Sequence, residues 1–266
     1  HPDINQVVFT GSVATGIAIA SAAAQNVVPC VLELGGKSAA IVHSDADLVA
    51  LETDIRKGIF TNAGQVCSAM SRIIVHESRH DELVQRAVSI AQSLSVGLGV
   101  DRPVFGANMG PMVSVKQRDR AAGLVSEAVA QGATLATGGR AMNIPGAFLE
   151  PTVLTDVTPE MTIAQTEVFG PVLSVLTFRE DAEAIEIANG TDYGLVGGVF
   201  TRDLDRATQV ARKIRAGQVF VNEWFAGGVE TPFGGYGKSG YGREKGREAL
   251  WNYVQTKNIA IKLKRT

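Results

Sequence analysis

The chain has 266 residues, 45% hydrophobic and 20% charged, with 29 glycines and a mean hydropathy of +0.10; this balance describes a well-packed soluble protein and excludes disorder over most of its length. A formal charge of −2 and a pI near 6.1 exclude the broad basic face that nucleic acid or an acidic membrane would need. No apolar run reaches the roughly 20 residues that span a bilayer.

By the usual domain size the chain holds one or two domains. Residues 6–9 read as a strand, Thr10-Gly11-Ser12 as a turn, residues 13–24 as an apolar, alanine-rich helix and 28–34 as the next strand, a βαβ unit. A strand at 39–43 follows, then a turn at Ser44-Asp45-Ala46-Asp47 capping a helix to about residue 62, and a strand at 72–76. Residues 81–98 carry helical apolar spacing, and the Gly- and Pro-rich stretch 99–115 reads as a surface excursion. A helix at 116–131, a strand at 133–136 and a loop over 138–151 with a strand at its end come next. Strands at 171–178, 197–201 and 217–221 are separated by helices near 181–189 and 204–214. Glycine dominates 232–242, after which a helix from about Glu244 and a terminal strand over 257–263 are expected. This alternation predicts an α/β sheet with parallel strands and right-handed crossovers. No internal repeat is visible.

Only two cysteines are present. Cys30 lies in an apolar run and reads as a small core hydrophobe. Cys67 lies in Asn62-Ala63-Gly64-Gln65-Val66-Cys67-Ser68, and 34 residues earlier Glu33 opens Glu33-Leu34-Gly35-Gly36-Lys37-Ser38. That separation leaves room for a strand, a helix and a turn, so a thiol and a carboxylate can meet across a cleft. A cysteine nucleophile needs a setting that activates it and a base that finishes the reaction. By residue type alone, Glu33 is equally a strand-end carboxylate or half of an ion pair. The absence of a secretory signal in these residues points to a reducing cytoplasm.

Five ordered segments carry a resemblance: Phe9-Thr10-Gly11-Ser12, Glu33 to Ser38, Gly64-Gln65-Val66-Cys67, Glu167-Val168-Phe169-Gly170-Pro171 and Pro232-Phe233-Gly234-Gly235. In order and approximate spacing the chain resembles the NAD(P)-dependent aldehyde dehydrogenases over nearly its whole length. The resemblance implies an aldehyde dehydrogenase-like α/β fold: the last βαβ portion of a Rossmann-like cofactor domain through residue 35, a parallel α/β catalytic domain over 36–240 and a returning tail over 241–266 that ends in an oligomerisation strand. It implies Cys67 as the nucleophile that forms a thiohemiacetal and then a thioester, Glu33 as the general base for hydrolysis, and Glu244 in a proton path, although Glu244 reads as well as a helix first-turn acid. For NAD or NADP it implies Gly11 and Ser12 at a helix N-terminus for the pyrophosphate, Gly16 for close packing, Leu34 and Gly35 against the carboxamide, Glu167 on the nicotinamide ribose and Phe169 beside the ring, with core packing as the other reading of Phe169. The aldehyde site would be walled by Val66, Ser68, Trp224, Phe225, Gly227 and Phe233. Those aromatics suit an apolar or aromatic aldehyde, while Glu223 and Glu230 leave a cationic aminoaldehyde open. No metal is expected, and the terminal strand implies a homodimer or tetramer.

A complete member of that family is roughly twice this length, and the chain opens on His1 as though already inside a fold. The family's oxyanion-stabilising asparagine, its adenosine contacts and the lysine of its proton path are expected upstream, leaving the Cys67 amide for the oxyanion and the isolated chain nearly inactive. Two other readings stand beside this one: a non-catalytic or split-partner protein that keeps the fold, and a cysteine hydrolase. The hydrolase lacks a histidine near Cys67 in sequence, since His43, His76 and His80 fall at strand ends or turns.

Overall fold

The computed structural model describes residues 1–98 and 108–264, so most of the excursion expected over 99–115 lies outside the described residues. The opening βαβ unit consists of β1 (Val7–Thr10), α1 (Val13–Ala24) and β2 (Cys30–Glu33), with Thr10 in parallel register opposite Glu33. The helix starts at Val13 because Ser12, in extended conformation, caps it: the Thr15 N–H donates to Ser12 Oγ at 3.3 Å.

Beyond it the chain builds β3 (Ala39–Val42), α2 (Leu48–Ile55), β4 (Arg72–His76), α3 (His80–Ser93) and the two-residue strands β5 (Ser95–Val96) and β6 (Asn108–Met109). Then follow α4 (Val115–Ala130), β7 (Thr134–Thr137), β8 (Thr152–Thr155), α5 (Thr162–Gln165), β9 (Val172–Phe178) and α6 (Asp181–Asn189). The last elements are β10 (Tyr193–Gly194), β11 (Val196–Phe200), α7 (Leu204–Lys213), β12 (Gln218–Val221), β13 (Tyr236–Gly237) and β14 (Gly240–Tyr241).

Seven strands form the main sheet in the order β12-β11-β3-β4-β9-β8-β7, parallel except for the antiparallel pair β7 and β8. Its centre is apolar on both faces: Ala40, Ile41 and Val42 of β3 and Ile73, Ile74 and Val75 of β4 are fully buried, as a parallel sheet covered by crossovers requires. Helix α3 packs on β4, β7 and β8, α6 on β3, β4 and β9, and α7 on β11 and β12. Arg72, at the start of β4, is buried and donates to the carbonyls of Lys37 at 2.9 Å, Ile187 at 2.8 Å and Ala188 at 2.9 Å. It thereby fastens the segment before β3 to the end of α6, which gains a cation near its unpaired carbonyls.

A separate three-stranded sheet has the order β1-β2-β14. Strand β14 returns antiparallel to β2, with Gly240 opposite Glu33 and Tyr241 opposite Leu32. Gly240 has φ +108°, and a Cβ there would lie 1.8 Å from the Leu32 carbonyl oxygen, so the return admits only glycine.

The sequence expectations need correction in four places. The helix expected to reach residue 62 ends at Ile55 and continues as a π-helical stretch, Arg56–Phe60, and a 3-10 stretch, Thr61–Gly64. The helix expected over 81–98 ends at Ser93. No helix starts at Glu244: Gly242, Lys245 and Gly246 all have positive φ, and a 3-10 turn over Glu248–Tyr253 is what forms. Residues 257–263 pair with no strand among the described residues and leave Ile259, Ile261 and Leu263 exposed, because a strand exists only where a neighbour completes its hydrogen bonds. Among the described residues no helix is long and apolar enough to cross a membrane.

Candidate active site

Residues at the carboxyl ends of β1 and β2 share a cleft with the segments that precede β4 and β9, and the chain crosses between the two sheets along residues 34–38. Cys67 reaches this gap through a strained loop. Asn62 (φ +52°), Ala63 (φ +53°) and Gly64 (φ +69°) are consecutive left-handed residues, which costs on the order of 1–2 kcal/mol for each of the two that carry a Cβ. The strain is held by reciprocal bonds of 3.0 Å from Asn62 Nδ2 to the Gln65 carbonyl and from Gln65 Nε2 to the Asn62 carbonyl. Glycine is required at 64, where a Cβ would meet the Gly170 carbonyl oxygen at 2.1 Å.

Between the two sheets opens a cleft of about 620 Å³ lined by Thr10, Gly11, Ser12, Glu33, Leu34, Gly35, Gln65, Val66, Cys67, Gln117, Arg120, Glu167 and Phe169. Glu33 is 3% exposed, and neither of its carboxylate oxygens has a hydrogen-bond partner among the described residues. Burial, reinforced by Glu244 and opposed by Arg243, pushes its carboxyl from the ordinary 4.5 up to about 8. Burial also raises the Cys67 thiol, with Glu167 and Glu33 adding to the effect and backbone amides opposing it. Near neutrality both groups therefore rest uncharged. Burial raises the Glu167 carboxyl too, but the Gly36 N–H donates to Oε1 at 3.1 Å, and Lys37 and Arg120 favour its charged form. Phe169 is 37% exposed at the cleft with φ +52°, so it is not a core residue.

On the other side of the Cys67 loop lies a second pocket of about 170 Å³, lined by Ser68, Gln218, Phe220, Phe225, Ala226, Gly227, Gly228, Thr231, Phe233 and Lys245. The structure thus divides the sequence-derived substrate wall: Val66 faces the first cleft, whereas Ser68, Phe225, Gly227 and Phe233 face the second. Trp224 is corrected to a core residue. It is 0% exposed and lines neither opening, its Nε1 donating to the Ser68 carbonyl at 3.1 Å and its backbone N–H to Asp54 Oδ1 at 2.9 Å. An indole that satisfies its own donor from behind the loop supports Ser68 instead of touching a ligand.

Gly16 also lies outside the cleft lining; a Cβ there would sit 2.6 Å from Leu34 Cδ2, so its role is close packing of α1 on the segment after β2. Glu244 lines neither opening. Its backbone exchanges two 2.7 Å hydrogen bonds with Phe233, which brings the return segment to Glu33, and its reading as a helix first-turn acid falls with the absent helix.

Gln117 and Arg120 escaped sequence reasoning. One turn apart on α4, they hold the Glu167 loop by its carbonyls: Gln117 Nε2 donates to Val168 and Phe169, and Arg120 donates to Val168 and Glu167, at 2.9 to 3.0 Å. Only their spacing on one helix face was legible; nothing local ties residue 117 to 167. Lys37 belongs to the segment Glu33 to Ser38, where sequence reasoning assigns it no role. It is buried, its Nζ has no hydrogen-bond partner among the described residues, and burial lowers its pKa to about 7. Among the described residues no histidine lines the Cys67 cleft: His43 is buried beside Asp181, and His76 and His80 bond to Ser78 and Thr155.

A half-buried thiol and two carboxyl groups, sharing one cleft of an α/β fold with a capped helix N-terminus, are groups able to serve covalent cysteine chemistry. Comparison with known proteins narrows this class. The family described as the aldehyde dehydrogenase family matches residues 1–259, and the chain belongs to it. The chain is 42% identical over 264 residues to a cytosolic aldehyde dehydrogenase of Mus musculus, covering 99% of this chain and 52% of that one. It is also 42% identical to a betaine aldehyde dehydrogenase of Sinorhizobium fredii, over 98% of this chain and 54% of that one. A solved NAD+ complex of an aldehyde dehydrogenase from Bacillus cereus superposes with a TM-score of 0.94 at 42% identity, covering 99% of this chain and 53% of the other. The fold is the aldehyde dehydrogenase fold, and the chain spans about half the length of the curated relatives it matches.

Proposed function

We propose that the protein to which this chain belongs oxidises an aldehyde to a carboxylic acid with NAD or NADP. The observation that carries the reading is the convergence of Cys67, Glu33 and Glu167 on one cleft beside the N-terminus of α1. Family membership and the NAD+ complex of the similar Bacillus cereus enzyme support it.

The residues present fit a dinucleotide. The first turn of α1 carries no acidic side chain to compete for its N–H groups, which suits a pyrophosphate at Gly11 and Ser12. At Gly35 a Cβ would lie 2.2 Å from Glu167 Oε2, so the backbone there is bare toward the carboxylate that would take the ribose hydroxyls. Leu34, Gly35 and Phe169 would hold the nicotinamide end. When bound, that group accepts the hydride that aldehyde oxidation releases.

The chain's own residues supply the rest. Cys67, as thiolate, adds to the aldehyde carbon to form a thiohemiacetal, and its backbone N–H would be the donor this chain offers the developing oxyanion. Oxidation leaves an acyl thioester on Cys67. Glu33 then takes a proton from the water that cleaves it and passes that proton toward Glu244, the carboxyl whose charge acts on it. A carboxyl held to about pH 8 works as a base only once deprotonated, so turnover rises with pH through that range.

The three-stranded sheet, separate from the main one, supports a division into a cofactor-binding portion at 1–35, a catalytic portion at 36–240 and a returning tail at 241–266. The exposed, alternating Ile259, Ile261 and Leu263 suit a strand added to the sheet of a second copy, hence a homodimer or tetramer. Two unpaired cysteines fit a cytoplasmic location. The cysteine hydrolase reading gains no support from the described residues, none of whose histidines lines the cleft.

The test is NADH formation by the full-length protein from a panel of aldehydes. Cys67→Ala abolishes it, and Glu33→Gln gives a burst stoichiometric with sites followed by arrest at the thioester. Retention of most activity by Cys67→Ala would refute the mechanism.

A further inference from the structure

The pocket behind the Cys67 loop has an asymmetric lining. Phe225 and Phe233 give it apolar walls and Ser68 ties it to the residue next to the thiol, yet its one charged lining side chain among the described residues is a cation, Lys245. Lys245 is exposed, makes no salt bridge among the described residues and rests its Nζ over the Phe233 ring, 5.4 Å from the centroid. Its backbone is held at φ +57° between Glu244, pinned by two hydrogen bonds to Phe233, and Gly246, whose N–H donates to the Val229 carbonyl at 2.8 Å. A residue held left-handed between fixed neighbours has the direction of its Cα–Cβ bond set by the backbone. A cation resting on an aromatic face at an exposed site is weakly held and exchanges readily for an anion.

Neither of the two acids that left a cationic substrate open is among the residues lining this pocket. Glu223 lies 3.9 Å from Lys57, which also pairs with Asp54 at 3.0 Å, and the exposed Glu230 carboxylate rests against Gly228 without itself lining the pocket. Of the neutral polar groups that remain, Thr231 already donates its hydroxyl to the Gly228 carbonyl at 2.9 Å, and the Gln218 amide can donate to an anion.

We infer that the aldehyde oxidised at Cys67 carries a carboxylate at its far end, recognised by Lys245 at the mouth of the pocket between Phe225 and Phe233. This rests on the aldehyde dehydrogenase reading of the Cys67 cleft and adds the substrate class. The lysine discriminates by attraction to an anion and by repulsion of an aminoaldehyde.

The full-length protein is assayed for NADH formation with three probes of similar length: 4-oxobutanoate, its neutral methyl ester and 3-aminopropanal. The ratio of kcat/KM for the carboxylate to that for the ester is the readout, because it is unaffected by the folded fraction of any preparation. The wild type prefers the carboxylate to the ester by roughly tenfold, the scale of one hydrogen bond to a charged group. Lys245→Met brings that ratio close to unity, and Lys245→Glu shifts preference toward 3-aminopropanal. A wild type that favours the ester or the amine, or a ratio unmoved by Lys245→Met, overturns the inference while leaving the dehydrogenase reading intact. No NADH from any of the three, or from a wider aldehyde panel, overturns that reading and this inference with it.

Discussion

Replacing Glu33 by glutamine probes the site without relying on turnover. The side chain keeps its shape and loses its ability to ionise. In the unfolded chain the carboxyl releases its proton near 4.5, whereas in the native protein burial and Glu244 hold the proton to about 8. Between those values the native state binds the extra proton, so the Glu33 contribution to stability falls as pH rises and levels off above about 8. At about 1.4 kcal/mol per pH unit the full displacement corresponds to a ceiling of about 5 kcal/mol. The cleft opens to water, and an effective dielectric near that of protein surfaces brings the expected difference to roughly 2–3 kcal/mol. Urea unfolding of wild type and Glu33→Gln, followed at a series of values from about pH 4 to pH 9, measures it. The stability difference is constant at the acid end, grows in favour of Glu33→Gln as pH rises and reaches a plateau near pH 8. A flat difference, or a wild type that gains on the variant with rising pH, would show that Glu33 is solvated or paired in the native protein.

Three further outcomes follow from the same contacts. Alkylation of Cys67 by iodoacetamide keeps accelerating above pH 9, because burial and two carboxyl groups raise its thiol; Glu167→Gln removes one of those negative charges and speeds the reaction at fixed pH, and an unchanged rate contradicts the assigned cause. Gly35→Ala drives a Cβ to 2.2 Å from Glu167 Oε2 and weakens NAD binding, read by calorimetry on the full-length protein, by about tenfold or more, on the scale of one charged hydrogen bond; an unaltered Kd removes Glu167 from the cofactor site. Arg72→Met leaves the buried carbonyls of Lys37, Ile187 and Ala188 without their donor and lowers stability by at least about 3 kcal/mol; Arg72→Lys does not restore it, since an ammonium cannot reproduce the planar fork, and a urea midpoint within error of wild type would refute the anchoring role.

Much of the fold was legible because its elements are locally determined. Helix α1 begins where Ser12 can cap it, α6 spans 181–189 as expected, and the strands at the sheet centre are short apolar runs bounded by turn residues. The errors fall where the backbone departs from regular geometry. The π-helical and left-handed residues before Cys67 follow a pattern that reads as one continuous helix, and their conformation depends on the close approach of Gly64 to Gly170 and on reciprocal side-chain bonds formed only in the folded loop. After Gly242 a helix was expected from composition, but the exchange of hydrogen bonds between Glu244 and Phe233 claims the backbone first. The unpaired residues 257–263 show the same limit in reverse, since alternation supplies only half of a sheet edge.

The sequence by itself determined the chemistry available to this protein: one thiol in a glycine-containing loop, a carboxylate at the end of a strand, a second in the segment before β9, and a capped helix beside them. Those properties reside in residue types and short spacings. Only the tertiary structure decided which of these groups share a cleft, because Cys67, Glu33 and Glu167 lie on separate elements that meet through sheet order. It alone withdrew Trp224 into the core, raised the Glu33 carboxyl to about 8 and placed Lys245 over Phe233. Burial and proximity are sums over the whole packed chain, and no local run of residues contains them.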